Sequence, residues 1–547
     1  MLRLLLFSLL VINVVYAQKL SKSDLRQITY LKAHIQFLSS DELEGRRAGT
    51  QGEKLATDYI VSKFKEAGLV PKGIDNGYLQ PFTINDGKKI LPNTVLKINQ
   101  QLLDPTKDYF PLPYSAKSSL KKAFISPALL EEDQPWMVDL AQDITEGSTS
   151  PHFDLNNLIA EKIKKAVEHN ASALILFNSN QSADNIIFEK KDKTETVPIP
   201  VIYINKEAHH KYFKDIEASY DIEYSVEIGE ASRYSNNIVG YIDNNAPYTI
   251  VLGAHFDHLG YGEDGNSMLR GTQGSIHNGA DDNASGTSAL LELAFLLKKS
   301  KAPKYNYLFI AFSAEELGLN GSKYFVEHPT IDLSKITYMI NMDMVGRLND
   351  SSRVITLGGI GTSPQWGEKI TSVKNSFLNF RYDSSGTGPS DHTSFYRKDI
   401  PVLFFFTGLH TDYHKPSDDA DKINYNGEQM IIKFIQHLIE ADKSSEKMAF
   451  TKTREQQTTT STRFSVSMGI MPDYTYSGSG VRVDGTSDNR PAKKAGILTG
   501  DVVKQLGDYK TTSVEAYMQA LSKFKKGDQT KVVVLRGNTE LIFEIIF

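Results

Sequence analysis

Residues 253–258 read GAHFDH, and after a glycine-rich loop residues 279–286 read GADDNASG. An apolar run of strand length precedes the first stretch, and a helical pattern of apolar residues follows the second. His255 and Asp257 are therefore predicted just past the carboxyl end of a strand, and Asp282 on the connection from that strand to a helix. Open α/β sheets bind their ligands at this edge. The two stretches predict one half of a metal site in an α/β domain.

Further predicted strands of the same domain also end in acidic residues or histidine. One leads into Ala314–Gly318 (AEELG), a second into Asn341–Gly346 (NMDMVG) and the last towards Tyr413–Asp418 (YHKPSD). Near-continuous apolar strands separated by helices are typical of a buried, mostly parallel sheet. We expect these side chains to meet at one edge of that sheet. A carboxylate inside an apolar stretch, as at Asp343, is unfavourable to bury without a cation or hydrogen-bond donors.

These stretches supply a ligand set for two cations. Zn²⁺ accepts histidine nitrogen and carboxylate oxygen, and two ions about 3.5–4 Å apart can share one carboxylate and a water molecule. Such a site needs about five side chains, one of them shared, and a free carboxylate as base. The predicted ligands are His255, Asp282, Glu316, Asp343 and His414. Glu315 is then the general base, and Asp257 is placed to orient the imidazole of His255.

As a set, these motifs resemble those of the co-catalytic di-zinc exopeptidases that include aminopeptidase Y and glutamate carboxypeptidase. The resemblance covers about residues 23–110 and 235–445. It implies a three-layer zinc-exopeptidase domain with a mostly parallel central sheet. In that arrangement Asp282 bridges two Zn²⁺ ions, and its peptide bond to Asn283 is cis.

The resemblance also assigns the remaining site residues. His255 and Asp343 complete the site of one ion, and Glu316 and His414 complete the other. Asp281 and His258 are left without a metal role. Tyr413, next to a ligand, is a candidate donor to the oxyanion.

The activity implied is hydrolysis of peptide or protein substrates. Glu315 takes a proton from a water held by the ions and transfers it to the leaving amine. An aminopeptidase is preferred to a carboxypeptidase because it is the more frequent activity in the family. Glutaminyl cyclase, which shares the fold and uses one zinc ion, is a second interpretation. An inactive scaffold that binds peptides through its other domains is a third, but the complete set of ligands and base argues against it.

The chain of 547 residues is too long for one core. Residues 18–110 and 235–450 are predicted to form the peptidase domain. Residues 111–234, where short apolar runs alternate with turn residues, are predicted to be a β-rich insert that resembles a protease-associated domain. Residues 451–462 have no apolar period and are predicted to be a linker. Residues 463–547 resemble a PDZ domain, which either captures peptide C-termini by strand addition or braces the catalytic domain.

The first residues and the composition indicate the cellular location of the protein and the kinds of ligand it can bind. Residues 1–17 combine a positive start, a short apolar run and small residues before a cleavage site after Ala17, which predicts a signal peptide. We expect a secreted, periplasmic or extracellular protein with no transmembrane segment after signal removal. A net charge of -5, with no basic patch, offers no electrostatic case for binding nucleic acid. The chain has no cysteine, so any metal must have nitrogen and oxygen ligands.

Overall fold

The computed structural model describes residues 21–127, 129–147, 155–180, 186–190, 192, 194, 196–213, 215, 218–269, 274–300, 303–373, 377–442, 444–453, 466–472, 479–486, 490–512 and 514–547. The predicted signal peptide, residues 1–17, lies outside the described residues, as does most of the predicted linker, residues 451–462. Within the described ranges, no helix combines the length and the apolar character needed to cross a membrane.

The described residues form α-helices and strands in the following order. In chain order, the α-helices are α1 (Lys22–Leu38), α2 (Gln51–Glu66), α3 (Ala141–Gly147), α4 (Leu155–Glu168), α5 (Lys206–Tyr212), α6 (Gly286–Lys298), α7 (Asn320–Glu327), α8 (Trp366–Ser372), α9 (His392–Tyr396), α10 (Tyr425–Ala441), α11 (Pro491–Ala495) and α12 (Val514–Leu521). The strands are β1 (Val70–Pro71), β2 (Leu79–Ile90), β3 (Val95–Ile98), β4 (Gln101–Leu102), β5 (Tyr109–Pro111), β6 (Ser118–Ile125), β7 (Pro135–Asp139), β8 (Ala173–Phe177), β9 (Val201–Ile204), β10 (Tyr220–Val226), β11 (Ile228–Ile242), β12 (Thr249–His255), β13 (Asn306–Phe312), β14 (Ile336–Met342), β15 (Val354–Gly358), β16 (Asn379–Tyr382), β17 (Val402–Phe406), β18 (Ile470–Pro472), β19 (Val481–Thr486), β20 (Val502–Leu506), β21 (Tyr509–Lys510), β22 (Gln529–Arg536) and β23 (Thr539–Ile546).

The central sheet is formed, among the described residues, by nine strands in the order β1-β11-β13-β12-β14-β17-β15-β16, with β2 paired to β11. Strands β13, β12, β14 and β17 are parallel. Strand β11 runs antiparallel to β13 and β2, and β15 runs antiparallel to β17. The predicted α/β class is confirmed, and the sheet is mixed rather than mostly parallel. One face of the outer antiparallel strand β2 is largely exposed, as is common for antiparallel strands.

Helices cover both faces of the sheet and give the domain three layers. The larger core joins one face to α1, α2, α6 and α10 and includes Phe309. The core on the opposite face joins α7 and α9 to the sheet and includes Leu308 and Ile310. These neighbours on β13 point to opposite faces because side chains alternate along a strand.

A large effect on stability is expected from shortening a fully buried aromatic side chain of this core. Phe309 is fully buried, and its ring centroid lies 6.4 Å from that of Phe64. Phe309→Ala is expected to lower the unfolding free energy of the domain by about 3–5 kcal/mol, because it leaves a cavity. Urea unfolding measures the change. Tyr234→Ala, on an exposed side chain of β11, serves as the control and should cost less than about 0.5 kcal/mol. Equal losses in the two variants would contradict this packing.

Two smaller sheets lie between β2 and β11 in the chain. One is antiparallel with the order β4-β3-β10-β6, and the other has the order β5-β9-β8-β7 with parallel pairs at its centre. Strands β3 and β4 precede residue 111, whereas β11 begins at Ile228 and belongs to the central sheet. The domain limits 111–234 and the protease-associated assignment stay predictions.

The last strands form a separate sheet with its own core. Strands β18 to β23 pair only with one another in the described residues, and α12 supplies Tyr517 and Leu521 to their apolar interior. The chain after the predicted linker thus buries its own apolar side chains. The limits 463–547 stay a prediction.

Candidate metal centre

The register of the central strands brings the predicted ligands to one edge of the sheet. His255, at the end of β12, pairs with Phe312 at the end of β13, and Gly253 pairs with Asn341 of β14. The residues that follow these strands therefore meet around His255. The hydroxyl of Thr287 on α6 donates to the His255 carbonyl at 2.8 Å, which ties the helix to the strand end.

Asp282 lies at the centre of the site, and its two oxygens face two different donor groups. Its Oδ1 is 3.4 Å from His255 Nε2, which is also 3.4 Å from Asp343 Oδ1. Its Oδ2 is 3.2 Å from His414 Nε2, which is also 3.2 Å from Glu316 Oε2. The structure thus brings all five predicted ligands together, with Asp282 between the two pairs.

Both histidines are oriented in the same way. His255 Nδ1 lies 3.2 Å from the Asp257 carbonyl, and His414 Nδ1 lies 3.0 Å from the Asn266 carbonyl. A proton on Nδ1 that is donated to a carbonyl leaves Nε2 free as a ligand, which is the usual arrangement around metal-bound histidine. In both residues Nε2 is the nitrogen that faces Asp282.

Asp257 and Glu315 lie against this group. Asp257 Oδ1 accepts the backbone N–H of Glu315 at 3.1 Å, and its Oδ2 accepts that of Glu316 at 3.4 Å. The Asp257 carboxylate is 3.7 Å from His255 Nδ1, farther than its own carbonyl. Glu315 Oε2 lies 4.0 Å from His255 Nε2. Asp257 therefore holds the turn that carries both glutamates, in addition to its predicted place beside His255.

His258 is a residue that sequence reasoning left without a metal role. The structure places its Nδ1 at 2.8 Å from Glu316 Oε1, and donor atoms of His258, Asp282 and Glu316 lie within 4.8 Å of one another. Its buried Nε2 makes no hydrogen bond. The HFDH motif contained this histidine, but only the fold shows that it turns towards Glu316.

Asp418 is a second residue whose place only the structure shows. Its Oδ2 accepts the backbone N–H of Asp281 at 2.9 Å and that of Asp282 at 3.0 Å. The peptide bond between Asp282 and Asn283 is cis, as the resemblance implied. Asp281 points away from the two donor groups and lies 3.2 Å from His410 Nε2. Asp418 thus fixes the backbone that presents Asp282.

Burial and neighbouring charges strongly shift the pKa values of the two adjacent glutamates of the site. Burial raises the pKa of Glu315 well above its usual range, and the carboxylates of Glu316 and Asp391 add to this against the attraction of His255. Burial also acts on Glu316, but His414 outweighs it and holds the pKa of that carboxyl at about 2. The two adjacent glutamates therefore differ in proton affinity, which suits one to carry protons and the other to remain an anion.

The donor set fits Zn²⁺. Nitrogen and carboxylate oxygen are the ligands that this ion accepts, and the two groups of donors share one carboxylate as a two-ion site requires. Buried carboxylates in so small a volume repel one another unless cations neutralise them. The donor set is therefore of the chemical kind that divalent cations bind.

An apolar wall borders the centre on the side of β17. It consists of Met344, Phe404 and Phe406, with Leu409 and Tyr413 packed against them. The Tyr413 ring also stacks on His414, with 3.9 Å between ring centroids. This wall is a buried apolar cluster next to the predicted ligands Asp343 and His414.

His392 behind this wall gives the stability of the protein a pH dependence. Its ring stacks on Phe404 at 4.4 Å, and burial lowers its pKa from 6.5 to about 3. Unfolding below pH 6.5 lets this histidine gain a proton, so the stability it contributes is present above pH 6.5 and is lost as the pH falls towards 3. Relative to His392→Phe, the wild type should lose about 2 kcal/mol between pH 7 and pH 5, as measured by urea unfolding. A difference that stays constant between these pH values would contradict it.

The sequence profile of peptidase family M28 matches residues 237–439. This segment contains all five predicted ligands and Glu315. Residues 237–439 are thus identified as a peptidase M28 domain. A PDZ domain profile matches residues 455–546, so the M28 domain is followed by a PDZ domain.

Relatives of the chain include aminopeptidase YwaD of Bacillus subtilis. It is 25% identical over 398 residues, which cover 70% of this chain and 78% of YwaD. Leupeptin-inactivating enzyme 1 of Streptomyces exfoliatus is 32% identical over 175 residues, 29% of this chain and 37% of that enzyme. Among solved structures, BSAP, a zinc aminopeptidase from Bacillus subtilis, aligns over 77% of this chain and 98% of its own with 22% identity and a TM-score of 0.43.

Proposed function

We propose that this M28 protein is a zinc-dependent aminopeptidase that removes N-terminal residues from peptides with the help of two Zn²⁺ ions. The observation that carries the proposal is the position of Asp282, whose two oxygens face His255 with Asp343 and His414 with Glu316. A single-ion site needs no shared carboxylate. The names of the relatives, several of them aminopeptidases, support the choice of activity.

The chemistry divides between the ions and the protein. Zinc, when bound, polarises the scissile carbonyl and lowers the pKa of water to about 7. Glu315 takes the proton from that water and delivers it to the leaving amine.

The residues around the ligands hold this geometry. Asp257 keeps Glu315 and Glu316 in place through their backbone N–H groups. His258 orients Glu316 through the bond between its Nδ1 and Glu316 Oε1. Tyr413 lies against His414 and is the candidate donor to the oxyanion.

The experiment is a metal and activity assay on purified wild-type protein. We expect about two zinc ions per chain, release of N-terminal residues from a peptide library, and loss of activity with a chelator that zinc restores. Release from the C-terminus would favour a carboxypeptidase. One tightly held ion with cyclisation of N-terminal glutamine would favour a glutaminyl cyclase, and zinc without turnover would favour a scaffold.

The other predicted parts complete the proposal. The signal sequence at residues 1–17 directs the protein out of the cytoplasm. The insert resembles a protease-associated domain. The PDZ domain captures peptide C-termini at a strand edge or braces the M28 domain.

A further inference from the structure

Arg46 is a buried cation at the base of the metal centre. It belongs to a short 3₁₀ segment, Asp41–Arg46, between α1 and α2, and only 1% of it is exposed. Its guanidinium donates hydrogen bonds to backbone carbonyls, namely those of Phe256 (2.8 Å), Asn278 (2.7 Å), Gly279 (3.0 Å) and Leu38. A guanidinium has five donors in a fixed planar fork, so it can hold several acceptors in one arrangement.

Three of the four carbonyls that Arg46 binds belong to the two segments that carry ligands, and the fourth, that of Leu38, ends α1. Phe256 lies between His255 and Asp257 at the end of β12. Asn278 and Gly279 open the turn that presents Asp282. One side chain therefore spans the strand end and the turn, which are separated by a long glycine-rich loop.

The backbone around Arg46 reinforces this link. The N–H of His258 donates to the Arg46 carbonyl at 3.2 Å, and that of Gly260 donates to the Gly45 carbonyl at 3.1 Å. Gly45 has a φ of +66°, and a Cβ there would lie 2.6 Å from the His277 carbonyl. The segment thus packs against both ends of the glycine-rich loop with no room for a larger residue.

We propose that Arg46 is a positioning residue of the metal centre, which sets the distance between His255 and Asp282 by holding the carbonyls of Phe256 and Gly279. The inference rests on the proposed zinc site. Arg46 lies outside residues 237–439, the segment that the M28 profile matches.

Arg46 remains charged in this place. Burial lowers its pKa to about 10, and the carboxylates of Asp257 and Asp282 oppose that shift. Arg46 therefore keeps its positive charge at neutral pH, and this charge strengthens each of its hydrogen bonds to a carbonyl.

The test compares Arg46→Met and Arg46→Lys with Arg26→Met, a control at an exposed arginine of α1. Zinc dissociation constants are measured on folded, metal-free protein by competition with a chelating dye. Melting temperatures of the metal-free protein, and kcat and KM at saturating zinc, are measured alongside. Arg46→Met should weaken zinc binding by about 10–100-fold. Arg46→Lys should weaken it less, because lysine keeps the charge but offers three donors. Arg26→Met should match the wild type.

The outcomes separate positioning from stability. A folded Arg46→Met protein with wild-type zinc affinity overturns the inference, even if its metal-free form melts at a lower temperature. If Arg46→Met does not fold, the test rests on Arg46→Lys. Wild-type zinc affinity and wild-type kcat in Arg46→Lys would then overturn the inference. A wild-type protein that binds no zinc refutes the proposed function itself and is recognised before any variant is compared.

Discussion

Glu315→Gln is expected to lower kcat by about 10²–10⁴-fold while the zinc content stays at the wild-type level. Glutamine has the shape of glutamate but cannot take a proton from water. Glu315 lies 4.0 Å from His255 Nε2, whereas each predicted ligand pair is closer, at 3.2–3.4 Å. Turnover of aminoacyl chromogenic substrates and zinc analysis by mass spectrometry measure the two quantities.

The control for this variant is Glu327→Gln, at an exposed glutamate of α7. It removes one carboxylate from the surface and should leave turnover and zinc content unchanged. Loss of zinc together with activity in Glu315→Gln would show that Glu315 is a ligand and that the roles of the adjacent glutamates are wrongly assigned.

Asp282→Ala is expected to remove both ions, because each of its oxygens belongs to a different donor group. Loss of a residue that only supports a ligand weakens metal binding by up to about 100-fold. Because Asp282 is itself a predicted ligand, its loss should weaken zinc binding by more than that. Activity should fall with it. Equilibrium dialysis against zinc gives the number of ions per chain in the variant and the wild type.

Asp58→Ala, on the exposed face of α2, is the control for Asp282→Ala. Its side chain pairs with Lys54 at the surface, and an exposed pair contributes little to stability. If Asp282→Ala still bound one ion as tightly as the wild type, the shared-carboxylate arrangement would be wrong.

The sequence predicted the site residues that lie at the ends of strands. His255, Glu316 and Asp343 each follow an apolar run, and parallel strands bring such ends together. The regular spacing of these runs therefore indicated the centre of the sheet and the ligands at its edge. The mixed character of the sheet was less visible, because the outer strand β2 buries only one face and its apolar pattern is interrupted.

The supporting residues escaped prediction because their partners are distant in the chain. Arg46 bonds to residues more than 200 positions away, and Asp418 holds a backbone segment more than 130 positions away. No periodicity marks a side chain that binds backbone carbonyls or amides. Only the folded chain shows that these two residues and His258 surround the ligands.

Anomalous diffraction at the zinc edge, from crystals of the wild-type protein grown with zinc, tests the central claim most directly. We predict two peaks on either side of Asp282, one about 2.0–2.2 Å from His255 and Asp343 and the other at that distance from Glu316 and His414. A single peak, or peaks that Asp282 does not contact, would contradict the account.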